Sequence, residues 1–186
     1  MFIELTRWEL AGFLFTVLFG SLLHFVYNWT GKNSLVGVFA PVNESTWEHL
    51  KLLFVPILFF SIVEYFAVGK NFPNYITAKS FGVVLGMLVI VIAFYTYTGI
   101  IGEHFLWADI LTFLFGAAVA YAYSWSKITG DRFSEKTQFL GLSLLAVFIA
   151  FFVLFTFYPP HIGLFLDPVT NKYGVPDKER PVPRKR

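Results

Sequence analysis

An all-α integral membrane protein, a bundle of about five transmembrane helices, is the fold class this sequence predicts. Two observations carry the expectation. Of 186 residues, 56% are hydrophobic and 14% charged, which leaves too little polar surface to wrap a soluble core. Five apolar runs each approach the ~20 residues that a helix needs to cross about 30 Å of hydrocarbon. Helices are the expected spanning element because their backbone groups are satisfied within the segment.

Residues 1–9 form a short start with Glu4, Arg7, Trp8 and Glu9, and Trp8 suits an interfacial belt. The first span is expected over about 10–27. A signal peptide fits poorly, since one Arg stands among two acids and no small-x-small site follows the apolar run. His24 lies near the far end, four residues before Asn28 and on the same helical face.

Residues 29–39 read as a loop, apolar enough toward its end to be partly re-entrant. Then comes Ala40-Pro-Val-Asn-Glu-Ser-Thr-Trp-Glu-His-Leu-Lys51, which gathers uncommon chemistry between two apolar runs. Pro41 discourages helix before it, and Ser45-x-x-Glu48 is a capping box. The second span follows over about 46–68, with Pro56 as a kink and Glu64 near its end.

A turn-rich connection leads to the third span, about 78–101, which carries Gly82-x-x-x-Gly86, a spacing that lets helices approach closely. Gly102, Glu103 and His104 link it to the fourth, about 105–127, with Asp109 in its second turn and small residues at Gly116, Ala117, Ala118 and Ala120. A charged loop with Asp131, Arg132, Glu135 and Lys136 precedes the fifth span, about 137–158, which Pro159-Pro160 stops. Residues 161–168 are too short to span and are expected to lie in the interface or fold back over the bundle. One transmembrane domain is thus expected over 1–168, followed by a polar, disordered tail over 169–186.

Five spans put the termini on opposite sides. Arg7, Lys70, Lys79, Lys127, Arg132 and Lys136 then share one side, against Lys32 and Lys51 on the other. The positive-inside rule places the N-terminus in the cytoplasm and the C-terminus outside, in the cell membrane. The basic tail runs against this, but it lies far from the last span, where the bias is weak.

Helix count alone brings all four histidines to one membrane face. The candidate site there comprises His24, Asn28, Asn43, Glu44, Glu48, His49, Glu103, His104, Asp109, His161 and Asp167. Each has a plainer role too. Glu48 serves as a cap, Glu44 favours the positive end of a helix dipole, His49 sits beside Trp47 at the interface, and Glu103-His104 is a solvated turn. His161 and Asp167 would anchor the interfacial segment, while Glu64 and Lys79 would snorkel. Two sequons, Asn28-Trp-Thr30 and Asn43-Glu-Ser45, hug the membrane, where their Asn side chains are better used for local bonding.

Together the polar groups suit three functions. The lead is binding or transport of a small solute or ion at the outer face, since polar groups near the membrane need partners, water or a cavity. A metal-dependent hydrolase on a lipid-like substrate is the alternative. In it His24, His49, His104 and His161 would hold a divalent metal such as zinc, and Glu44 or Glu48 would be the base. No His-Glu-x-x-His spacing accompanies them, and the sequence assigns no catalytic residue. The third is an accessory protein docking a partner near Trp47. With no cysteine, any metal would need nitrogen and oxygen ligands. The net charge of +2 excludes nucleic acid as the expected partner; the partner is the lipid bilayer. Five helices are few for a carrier of two equal repeats, which points to a homo-oligomer.

The opening motif, with Gly20-Ser-Leu-Leu-His-Phe-Val-Tyr-Asn-Trp29, Tyr158-Pro-Pro-His-Ile-Gly163 and Asp167-Pro168, resembles a family of small bacterial membrane proteins without assigned function. The likeness covers about residues 10–174. It implies a cytoplasmic-membrane protein of a Gram-positive organism and supplies no activity or catalytic residues.

Overall fold

Residues 2–10 hold neither Gly nor Pro, and Glu4 in the first turn suits the positive end of a helix dipole. The first helix accordingly starts earlier than the apolar run does. The computed structural model describes residues 1–176, and in it α1 spans Phe2–Trp29. Glu9 thereby becomes a helix-interior residue. The loop beyond contains a short helix, α2 (Ser34–Gly37), whose cap Asn33 accepts from the Leu35 amide at 2.9 Å.

The second span is built from α3 (Thr46–His49) and α4 (Lys51–Ala67), joined through Leu50 with helical backbone. Pro56 lies inside α4 and removes the bond to the Leu52 carbonyl. Gly20 of α1 crosses at that carbonyl, which is the first atom a Cβ there would meet. The remaining spans are α5 (Tyr75–Ile101), α6 (Leu106–Ile128) and α7 (Glu135–Phe157). All five are long and apolar enough to cross a membrane, so the all-α membrane class holds.

The most extensive packing is α5 against α6; α1 lies on α4 and α6, and α7 on α5. The α5–α6 contact rests on small residues: a Cβ at Gly82 would come within 2.6 Å of the Ala120 carbonyl oxygen, and one at Gly86 within 2.6 Å of the Gly116 carbonyl oxygen. Trp47 anchors the core at the histidine-bearing end, its ring 4.8 Å from Phe152 and 5.0 Å from Phe165. At the other end Asn74, fully buried, donates to the Asp131 carbonyl at 2.8 Å and accepts from the Phe133 amide at 2.9 Å, which ties the α6–α7 loop to α5.

After α7 the chain folds back. A short 3-10 turn leads into strand β1 (Leu166–Asp167), which pairs antiparallel with β2 (Lys172–Tyr173), Leu166 opposite Tyr173. Residues 169–174, expected in a disordered tail, complete this hairpin. Asp167 holds its turn by accepting from the Val169 amide at 2.9 Å and the Thr170 hydroxyl at 2.6 Å. The rest of the expected tail, 177–186, lies outside the described residues.

Gly86→Ala should push α5 off α6 and cost about 1–3 kcal/mol, read as a lowered melting temperature in detergent. Gly99→Ala, where a new Cβ meets nothing within 4 Å, should leave it unchanged or slightly raised.

Candidate functional site

The loop that delivers the site is held by a buried ion pair. Glu48 and Lys51 lie one turn apart, Nζ 2.7 Å from Oε2, both inside the bundle. Lys51 also donates to the Gly37 carbonyl at 2.8 Å and to Thr156 Oγ1 at 2.6 Å, so each ammonium proton has an acceptor. Glu48 Oε2 accepts from the Val42 amide at 2.9 Å, and Oε1 lies 3.2 Å from Thr156 Oγ1. One pair thus joins the 37–42 loop, α4 and α7.

This corrects the expected capping box. The capping box is half made: Ser45 accepts from the Glu48 amide at 3.4 Å, but the Glu48 carboxylate turns inward instead of back. Its two oxygens face Val42, Lys51 and Thr156 inside the bundle. Asn43 takes the missing role, accepting from the Ser45 amide at 2.9 Å and donating to the Gly174 carbonyl at 2.9 Å. That bond fastens the C-terminal hairpin to the loop.

Held this way, the loop presents Glu44 to His24 of α1 and His49 of α3. Glu44 Oε1 is 4.0 Å from His24 Nε2, and Oε2 is 3.4 Å from His49 Nε2. One ligand atom from each of the three lies within 4.8 Å of the others. The two rings are 5.2 Å apart. His49 Nδ1 sits 3.0 Å from the Ser45 carbonyl, which can only accept, so Nδ1 carries hydrogen. In the neutral ring the Nε2 lone pair then points at a carboxylate, an arrangement that favours a proton or a metal ion between them. The His49 hydrogen bond holds the Glu44 carboxyl below the ordinary carboxylate range, partial burial works the other way, and charge on His49 and His24 adds to the lowering.

Beside the trio opens a cavity of about 190 Å³. Glu44 and His49 line one wall and His104 and Asp109 another, with Leu52, Ile90, Phe94 and Phe113 between them; Pro168 and Val169 of the hairpin turn also line it. His104 Nδ1 is 3.1 Å from Asp109 Oδ2, and the Tyr97 hydroxyl donates to Asp109 Oδ1. Asp109 is thereby oriented from α5 as well as from the α5–α6 link.

The other expected residues stand apart from this cavity. Asn28 is exposed at the end of α1, and Glu103 is exposed in the α5–α6 link. His161 is exposed and stacks on Tyr173 with ring centroids 4.5 Å apart. Asp167 is consumed by the hairpin turn. Among the described residues, the trio that gathers like metal ligands is His24, Glu44 and His49, without His104 or His161. Lys51, Thr156 and Tyr97 are functional supports that the sequence expectation lacks. The signal for Lys51 is a cation three residues after Glu48 at the head of an apolar run.

Replacing Lys51 with Met leaves Glu48 charged and unpaired inside the bundle. The expected cost is about 3–5 kcal/mol, seen as a large fall in melting temperature. The double variant Glu48→Gln/Lys51→Met should recover part of it, since the neutral amide that replaces the carboxylate can still accept from the Val42 backbone N–H.

No curated protein and no solved structure matches the chain. A family model matches residues 1–175. The chain, a five-span membrane bundle with a pocket of mixed polar and apolar lining at one end, belongs to a family of unknown function, DUF6512.

Proposed function

We propose that this protein binds a divalent transition-metal ion of the zinc class at His24, Glu44 and His49, on the outer face of the cell membrane. The observation that carries the reading is the convergence of three ligand atoms, from α1, the loop and α3, within 4.8 Å. Two imidazoles and a carboxylate are a recurrent zinc set, and His49 has the carbonyl-bonded Nδ1 that fixes a metal-binding tautomer. Orientation rests on the cations near helix ends: Arg7, Lys70, Lys127, Arg132 and Lys136 lie at the end away from the pocket, Lys32 and Lys172 at the pocket end. Lys51 and Lys79 drop out of this comparison because both are buried in ion pairs.

A second reading, a metal-dependent hydrolase acting on a lipid-like substrate, is favoured by the cavity itself. Three protein ligands leave a zinc ion a coordination position for water. Along the same cavity, the His104–Asp109 pair offers a group to move a proton, and its apolar lining suits an acyl chain.

The test is metal content by mass spectrometry on detergent-purified protein prepared without chelator. About one zinc-class ion per chain is expected, with affinity falling at least about 10–100-fold in His24→Ala, His49→Ala and Glu44→Gln. His161→Ala should keep the metal. An apo wild type that takes up no zinc would overturn the proposal. Chelator-sensitive turnover of fatty-acyl ester vesicles would place the hydrolase first; metal binding without turnover would leave ion binding as the function.

Metal affinity should also fall as pH drops through the range in which the two imidazoles protonate. Glu44, with its carboxyl held low, stays ionised through that window, so the loss should follow the histidines alone. Zinc titrations at a series of pH values measure it.

A further inference from the structure

At the end of the bundle opposite the pocket, four helices bring polar groups to one buried point. Lys79 Nζ of α5 lies 2.8 Å from Glu9 Oε2 of α1 and 2.8 Å from Glu64 Oε2 of α4. Ser124 of α6 donates to Glu9 Oε2 at 2.9 Å, and the Tyr75 hydroxyl donates to Glu64 Oε2 at 2.9 Å. The Tyr121 ring, its hydroxyl bonded to Thr16 at 2.9 Å, lies 4.6 Å from Nζ. Glu9 is 4% exposed, Glu64 0% and Lys79 6%. Glu64 and Lys79, expected to snorkel, are instead paired inside.

Charge does not balance here. Two carboxyl groups face one ammonium, and the other titratable groups facing them, Tyr75 and Tyr121 with Tyr65 packed on Tyr75, are phenols. With both glutamates ionised the cluster would carry a net negative charge in apolar surroundings, an expensive state. Among the described residues, the second carboxylate oxygens, Glu9 Oε1 and Glu64 Oε1, are buried and find no hydrogen-bond partner. Their free lone pairs mark where a missing positive charge would sit.

The number of ligands decides which one. A cleft between Lys79, Tyr121 and Ser124 has no room for a water-sized sphere, and neither glutamate lines it. A groove of about 330 Å³ between α4, α5 and α7 reaches Lys79 but is not lined by either glutamate. An alkali cation needs several oxygen ligands around it; a proton needs one.

We propose that Glu9 and Glu64 together bind one proton at these Oε1 atoms, so that the cluster is a neutral proton-binding site within the membrane. It is separate from the metal proposal, sharing no residue with it. Adding the proton forms one O–H bond and converts one carboxylate to a carboxylic acid, and nothing else changes.

Infrared difference spectroscopy of the full-length protein at neutral pH tests this. Wild type should show a carboxylic-acid carbonyl band that moves in D₂O and on ¹³C labelling of glutamate. Glu9→Gln and Glu64→Gln should each lose the band, because the remaining carboxylate then matches Lys79 one to one. Lys79→Met should keep or strengthen it. Absence of the band in wild type, or its survival in both Gln variants, overturns the proposal. Should the Gln variants fail to fold, the ¹³C-glutamate wild type decides, a band unmoved by the label counting against.

Discussion

Lys51 can be buried because each of its three protons meets an acceptor that a different part of the chain supplies: the Gly37 carbonyl, Glu48 and Thr156. An ammonium stripped of water and left with one acceptor short would not be tolerated there. The geometry of the loop, the start of α4 and the end of α7 is therefore set by one charge. Glu44 hangs from that loop, Asn43 fastens the hairpin to it, and His49 follows one residue after Glu48. The trio of ligand atoms depends on a pair that supplies none of them.

The two ends of the bundle solve the same problem differently. At the pocket end the buried Glu48–Lys51 pair is matched one to one and each ammonium proton has an acceptor. At the other end two acids share one base, and among the described residues each keeps an unpaired oxygen. A fully satisfied buried network rigidifies the part of the fold that holds it, whereas an unpaired buried polar group is costly to leave as it stands.

The fold is legible because hydrophobic length is a one-dimensional signal: five runs long enough to span can be counted along the chain, and Pro159-Pro160 marks a stop. The convergence of His24, Glu44 and His49 at one face is legible by helix parity alone. What the chain order hides is which polar side chains turn inward. Glu48 reads as a cap because Ser45 stands three residues before it, yet the stronger pull is Lys51 at its own spacing of three. Glu64 and Lys79 read as snorkelling because their partners, Glu9 and each other, are far away along the chain. Side of the membrane groups His104 and His161 with the other histidines, but sharing a side is weaker than sharing a pocket. The hairpin of 166–173 leaves little trace in the sequence, since its strands are two residues each and rest on the turn made by Asp167.

The tight α5–α6 contact, with carbonyls packed where side chains would otherwise stand, makes those two helices one stiff body. His104 and Asp109 ride on that body. Glu44 and His49 ride on another, built from α1, the loop and α4. The cavity is thus a seam between two bodies, and any molecule that touches both of its walls acts as a rivet. Its occupancy would be felt through the whole bundle as resistance to shear, at a distance from any residue it contacts.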